Sequence, residues 1–321
     1  MNDALRSGAS VGWTPSRVRL GFAVMGAAGL LLPFFIYPVF IMNVLCLALF
    51  ASACNLLLGY TGLLSFGHAA FLGAAGYLCG QAVKAWGFSP ELGILLGAAA
   101  AAFLGLVVGG LAIRRSGIYF AMITLGLAQV VYFLAVQLPF TGGDDGLQGV
   151  PRGKLLGLFS LEGNLPMYYF TYAVFLAGFF AIYRTIHSPF GHVLRAIREN
   201  EARALSLGYD VARYKLVAFV LSAALSGLAG ATKAIVFQFE SLTDVHWHKS
   251  GEVVLMTLLG GMGTVMGPSV GALVVVTLEN YLSGLGSWVT VIIGCVFVVG
   301  VLLFRRGFVG EAIALARKFP F

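Results

Sequence analysis

Few residues in this sequence could do chemistry, and most of them sit inside apolar runs. The stretch GYTGLLSFGHAAFLGAAG (59–76) carries one histidine, His68, two hydroxyls, Thr61 and Ser65, and glycines at 59, 62, 67, 73 and 76. Thr124, Lys233 and Glu279 are isolated in other apolar runs, and His246 and His248 flank Trp247 in an HxH spacing. A lone histidine among small residues can line a pathway and bond a solute or a gate. It can also bond a backbone carbonyl at a helix break, which is the commoner arrangement. Thr61, Ser65 and Thr124 share that ambiguity, because hydroxyls in apolar helices often bond their own helix. The HxH pair would need a third ligand to hold a metal, and none stands beside it; Trp247 reads instead as part of an interfacial aromatic belt.

Several reaction classes are absent at the level of motif. No GxxxxGK[ST] stretch occurs, so the chain carries no phosphate-binding loop of that kind. HExxH, GxSxG and paired intramembrane aspartates are also missing, which argues against an intramembrane hydrolase. An ion-coupled carrier remains the alternative of a different class. Such carriers need an ionisable group in mid-membrane, for which His68, Lys233 and Glu279 are the candidates.

The elements that position these residues follow from composition. Of 321 residues, 59% are hydrophobic and 10% charged, with a mean hydropathy of +0.92. Soluble domains carry about 25% charged residues, so the sequence implies an integral membrane protein. The net charge of +7 does not point to nucleic acid. Basic residues cluster at Arg6/Arg17/Arg19, Arg114/Arg115, Arg184 to Lys215, and Arg305/Arg306/Arg317/Lys318, the segregation expected of cytoplasmic loops. Cys46, Cys54, Cys79 and Cys295 form no CxxC pair and read as small buried hydrophobes.

Apolar runs of about 20 residues predict spans near 20–37, 39–58, 62–82, 91–113, 117–137, 167–186 and 215–238. The first is taken as retained, since no small-x-small cleavage site follows it. Both termini and 187–214 then face the cytoplasm, with 138–166 and 239–251 outside. Region 252–282 is interrupted by GGMGTVMGP (260–268). Two short helices, 252–266 and 268–282, keep the charge parity, and 286–304 brings the C-terminus inside. At 1.5 Å per residue such a helix reaches about 22 Å, short of the roughly 30 Å hydrocarbon core. The expected fold is therefore an all-α polytopic membrane protein of about ten transmembrane or half-membrane helices, bounded by cytoplasmic segments 1–19 and 305–321. A short internal echo links Leu57-Leu58-Gly59-x-x-Gly62 to Leu258-Leu259-Gly260-x-x-Gly263; interrupted segments in corresponding positions point to a transport pathway.

The stretch SPFGHVLRAIRENEARALSLGYD (188–210) predicts a cytoplasmic amphipathic helix. Ser188 is placed as N-cap with Pro189 at the first helical position, and Gly208 can end the helix in a left-handed cap. Leu194, Ile197, Ala204 and Leu205 recur at helical spacing, Arg195–Glu199 and Glu199–Arg203 form i,i+4 pairs, and Asp210 can cap the next span. The helix is either a connector on the lipid headgroups or a docking element for a cytoplasmic partner. Its mixed charges, Glu199, Glu201 and Asp210 among them, favour docking.

The pieces NLLLGYTGLLSFGHAAFLGAAGY (55–77), SGIYFAMITLGLAQ (116–129), RAIRENEARALSLGYD (195–210) and LLGGMGTVMGPSVGA (258–272), in order over roughly 38–304, resemble the permeases of branched-chain amino acid ABC importers, most closely the LivM-type subunit. The resemblance implies a bacterial inner-membrane permease working with a LivH-type second permease, two cytoplasmic ATPases and an extracytoplasmic binding protein. ATP and Mg would sit on the ATPases, and this chain would bind no cofactor. Urea and short-chain amide importers use similar permeases. The family's ATPase contact falls on 188–213, which makes Arg198, Glu199, Glu201, Ala204 and Gly208 the candidate coupling residues. Gly59, Thr61, Gly62, Ser65, Gly67, His68, Thr124, Gly260, Gly263 and Gly267 are the candidate pathway or helix-packing residues, the glycines removing bulk where helices cross and rearrange. The chain departs from the common pattern at Ala231-Thr232-Lys233, where Lys233 is expected to snorkel toward the outer interface.

Overall fold

The computed structural model describes residues 26, 29–155, 157, 159–286, 288–304 and 307–311. Most of the expected span 20–37, the whole N-terminal segment 1–19 and much of 305–321 lie outside the described residues. The described chain is almost entirely helical.

Helix α1 (Pro38–Thr61) starts on a proline at its first turn, where the missing N–H costs nothing. It is apolar on every side and buried over most of its length, which makes it a core helix. Next come α2 (His68–Lys84), α3 (Pro90–Ala112), α4 (Ile118–Gln137) and α5 (Asn164–Ile186). Two short helices, α6 (Pro189–Glu199) and α7 (Glu201–Ser206), lead into α8 (Val211–Phe237). A single helical turn, α9 (Leu242–Val245), precedes the hairpin of α10 (Trp247–Gly260) and α11 (Gly267–Leu282), and α12 (Trp288–Leu303) follows. Five of these, α1, α3, α4, α5 and α8, are long and apolar enough to cross a membrane.

Helix α8 is the hub, packing on α1, α2, α3 and α5. Small residues allow this: a Cβ at Gly97 would lie 3.0 Å from Ala231 Cβ, and one at Gly109 2.9 Å from the Phe219 ring. Phe219 then meets Phe71 and Phe120 edge-on, with ring centroids 5.5 and 5.9 Å away. The α10–α11 hairpin packs on α1, and Ser52 and Ser269 hydroxyls meet at 3.3 Å across that contact. Helix α4 is buried over only 28% of its most apolar window, leaving Met122, Val130 and Phe133 exposed, a face suited to lipid. At one end, β1 (Leu147–Gln148) pairs antiparallel with β4 (Phe239–Glu240), and β2 (Lys154–Leu155) pairs with β3 (Phe159–Ser160).

The structure corrects several expectations. The apolar run 62–82 is helical only from His68, because Gly62 adopts φ +75° and ends α1, and residues 62–67 run non-helical. The helix expected over 252–266 begins earlier, at Trp247, and stops at Gly260. The 188–208 segment is two helices, because Asn200 leaves helical geometry (φ −158°) and its side chain caps a new helix, accepting from the Arg203 N–H at 2.9 Å. The i,i+4 pairs around Glu199 are not among the ion pairs of the described residues; Arg195 instead lies 5.3 Å over the Tyr60 ring. Leu205, expected on the apolar face, is exposed, whereas Leu194, Ile197 and Ala204 are buried. Cys295 is exposed, and the other three cysteines are buried as expected.

Candidate coupling junction

The two glycine-rich interruptions meet at one end of the molecule. Helix α1 ends with the Thr61 hydroxyl donating to Leu57 O, Leu63 N–H donating to the same carbonyl at 3.3 Å, and Gly62 left-handed. Opposite it, the turn between α10 and α11 passes through Gly263 at φ +77°. Asn55, nearly two turns back from the end of α1, joins the two. Its Nδ2 donates to Thr264 O at 2.8 Å, and its Oδ1 accepts from Gly263 N–H at 2.9 Å. Side chains have no room here: a Cβ on Gly59 would lie 2.6 Å from Gly263 N, and one on Gly260 3.0 Å from Gly271 N. Gly267 N–H donates to Thr264 Oγ1 at 3.0 Å, and a Cβ there would sit 2.5 Å from Gly261 O.

Arg198, from the last turn of α6, closes the junction. Its Nη1 donates to Gly59 O. The side-chain stem lies beside Gly62, where an added Cβ would approach Cγ to 3.1 Å, and Nη1 lies 3.2 Å from a Cβ position on Gly263. One arginine thus touches the loop helix, the end of α1 and the α10–α11 turn.

The rest of the loop is capped as the sequence indicated. Ser188 Oγ accepts from Gly191 N–H at 3.3 Å, and Asp210 Oδ1 accepts from Arg213 N–H at 3.2 Å. Gly208 has φ +85°; its N–H donates to Leu205 O at 2.9 Å and Tyr209 N–H to Ala204 O at 3.2 Å, a Schellman cap. Ala204 packs with Ile197 and Val211, and Glu201 pairs with Lys215 of α8 at 2.7 Å. Glu199, Leu205, Leu207, Gly208 and Tyr209 remain exposed.

The break before α2 is closed by hydroxyls. Ser65 Oγ accepts from Gly67 N–H at 3.1 Å, Thr124 Oγ1 from Phe66 N–H at 3.2 Å, and Ser250 Oγ from Ala69 N–H at 2.9 Å. These bonds satisfy amides that a helix start leaves free, a need water cannot meet in an apolar medium. His68 is 1% exposed, and its Nε2 lies 2.9 Å from Ser222 Oγ. Since the Ser222 hydroxyl is itself 2.6 Å from Ala53 O, which can only accept, the geometry suits His68 Nε2–H as donor to Ser222. The histidine therefore ties α2 to α8 and, through Ser222, to α1.

At the opposite end, Lys233 does not reach open solvent: it ion-pairs with Asp244, with side chains 15% and 9% exposed. Ser241 Oγ also donates to Asp244 Oδ2 at 3.3 Å. His246 Nδ1 accepts from His248 N–H at 3.4 Å and so caps α10. Glu279 is half-buried on α11. Sequence reasoning missed Asn55, Ser222, Ser250, Asp244 and Glu240. For Asn55 a signal existed, since a lone amide inside an apolar helix needs an interhelical partner.

The family model described as branched-chain amino acid transport system / permease component matches residues 38–304. The chain belongs to that family. It is thus a multi-pass membrane protein and a transport permease rather than a catalytic enzyme. The high-affinity branched-chain amino acid transport permease LivM of Escherichia coli K12 is 28% identical over 76% of this chain and 63% of its own length. LivM of Salmonella typhimurium is 30% identical over 65% of this chain and 55% of its own. The autoinducer 2 import permease LsrC of Klebsiella pneumoniae is 32% identical over 65% of this chain and 60% of its own. The chain spans less than two thirds of the length of each of these relatives. No solved structure matches it.

Proposed function

We propose that this permease imports branched-chain amino acids as one subunit of an ABC importer, forming the pathway with a LivH-type second permease. Two cytoplasmic ATPases would bind ATP and Mg, and an extracytoplasmic binding protein would deliver the cargo. In this reading the chain crosses the bacterial inner membrane with both termini and 187–214 in the cytoplasm and 138–166 and 239–251 outside, the short α10 and α11 buried against other helices. The LivM relatives support this cargo, and the LsrC relative makes autoinducer 2 the competitor to test.

The observation that carries the mechanism is the Arg198 bridge. The exposed Glu199, Leu205, Leu207, Gly208 and Tyr209 form the face offered to an ATPase. Arg198, Ala204 and Glu201 point inward and hold that face to the membrane helices. A displacement of the loop then pulls on Gly59 O and, through Asn55, on the 261–266 turn. The two interruptions move together because one side chain bears on both.

The test is ATP-driven uptake of labelled leucine by proteoliposomes carrying the assembled importer. Arg198→Ala removes a hydrogen bond from a charged donor, about 1.5–3 kcal/mol, and is expected to cut uptake by tenfold or more while the ATPases stay bound and hydrolyse ATP. Wild-type uptake in Arg198→Ala overturns the bridge. Uptake of autoinducer 2 without leucine overturns the cargo and leaves the bridge standing.

A further inference from the structure

At the end opposite the arginine bridge, the segment after α4 folds back over the ends of α2 and α8. Leu147 pairs with Glu240, Val150 N–H donates to Gln238 O at 3.1 Å, and Arg152 Nη2 donates to Val236 O at 2.9 Å. Lys84 Nζ, from the end of α2, holds the same cover by donating to Gln148 O at 2.7 Å. Beneath it Glu240 is 1% exposed. Its carboxyl lies flat on α2 at Gly76, where an added Cβ would fall 2.6 Å from Oε1. Among the described residues, both carboxyl oxygens are buried without a hydrogen-bond partner, and so is the hydroxyl of Tyr77, the next residue along α2.

An ionised carboxylate there would have neither water nor donors, and such a group takes up a proton instead. Among the described residues, the groups facing it supply too little positive charge to balance an ionised carboxylate. From α8 comes Lys233, which is already ion-paired with Asp244. From α9 comes Asp244 itself, a second carboxylate. From α2 come Tyr77 and Cys79, both neutral, and β1 contributes only Leu147 and Gln148. The cluster therefore holds one more carboxyl than its single cation can balance, and the bare backbone at Gly76 leaves the carboxyl itself to fill the space.

We propose that Glu240 is a proton-binding site, protonated while the 139–150 segment is seated over it and releasing its proton to water when that segment lifts. The O–H bond of the carboxylic acid breaks, the proton passes to entering water, and the carboxylate stays on Glu240. Opening of this end is thereby linked to pH. Burial pushes the Glu240 carboxyl well above the usual carboxylate range, Asp244 adds to the rise, and Lys233 offsets part of it. The seated state thus binds one more proton than the lifted state between the usual carboxylate range and that raised value. Its advantage is full below the window and falls as pH rises through it. The inference depends on neither the cargo nor the partners.

The decisive measurement is infrared spectroscopy of the purified chain in lipid nanodiscs. Wild type is expected to show at neutral pH a protonated-carboxyl C=O stretch that Glu240→Gln lacks. Gly76→Ala keeps the acid but evicts it from its place, so the same band should vanish there at neutral pH and return only on acidification. Modification of a Leu147→Cys probe, measured relative to a surface cysteine on a Cys295→Ser background, should rise severalfold with pH in wild type and stay flat with Glu240→Gln. If Glu240→Gln fails to fold, the Gly76→Ala spectrum decides. Identical carboxyl bands in wild type and Glu240→Gln, or an unchanged band in Gly76→Ala, overturn the proposal.

Discussion

The two ends of this permease handle polar groups in opposite ways. At the loop end the ionic groups, the buried Lys215 of α8 apart, keep contact with solvent. Arg198 is exposed yet donates to Gly59 O, the Glu201 side chain is 45% exposed while paired with Lys215, and Asp210 and Arg213 pair on the surface. At the strand end Lys233, Asp244 and Glu240 are withdrawn from solvent almost completely. Water can replace a lost partner of an exposed pair such as Asp210–Arg213 at little cost, whereas at the strand end a lost partner leaves a buried charge. The loop end is thus built to rearrange, and the strand end to stay shut until its cover moves as a unit.

The largest expected effect comes from breaking the buried pair. Asp244→Ala removes the ion-pair partner of the buried Lys233 ammonium and is expected to cost about 3–5 kcal/mol, read as lost folded yield and a lower unfolding temperature in detergent. The double variant Lys233→Met/Asp244→Ala removes both charges and should recover most of that loss. Failure of the double variant to recover would mean that the pair does more than neutralise itself, and would remove the contrast between the ends. The loop-end counterpart, Arg213→Ala, should change stability by no more than about 1 kcal/mol, since its pair is exposed.

A smaller effect separates glycines that touch backbone from those that do not. Gly260 faces the backbone of Gly267 and Gly271, whereas a Cβ at Gly126 would meet nothing within 4 Å. Overpacking typically costs about 1–3 kcal/mol, with more where backbone must move. Gly260→Leu should therefore lower folded yield and Gly126→Leu should leave it unchanged. Equal behaviour of the two would show that the hairpin adjusts freely and that its glycines are merely tolerated.

The sequence disclosed this contrast unevenly. Long apolar runs marked α1, α3, α4, α5 and α8 to within a few residues, because hydropathy alone decides where a span fits. The caps at Ser188, Gly208 and Asp210 were legible because each is settled within one turn of chain. The interruption at 62–67 was not, because its amides are satisfied by Thr124 and Ser65 and the adjoining first turn of α2 by Ser250, partners up to 181 residues away. The break at Asn200 carried a local signal, an N-cap residue followed by Glu201, hidden by a helical pattern running through it. Lys233 looked like a free cation because Asp244 meets it only after the chain reverses at Gln238, which sits left-handed at φ +57°. Of the candidate site, the glycines and Arg198 could be named from sequence. That they meet at one point could not, since Asn55, which joins them, bonds to residues more than 200 positions away.

The most local effect tests whether the loop end is as soft as its exposure suggests. Gly208 stands at φ +85° with open space around it, so a side chain there meets no neighbour and pays only for its backbone conformation. That cost is about 1–2 kcal/mol for a residue with a Cβ, and it falls on the Schellman cap alone. Gly208→Val should therefore leave folded yield and unfolding temperature near wild type while fraying α7, seen as faster amide exchange at Leu207, Gly208 and Tyr209. Asn is the control, because it tolerates the left-handed region better, and Gly208→Asn should restore slow exchange. If Gly208→Val instead lowers global stability as far as Asp244→Ala does, the loop is rigidly tied into the fold. The bridge through Arg198 would then be a fixed strut, and motion of the junction would have to begin in the membrane helices themselves.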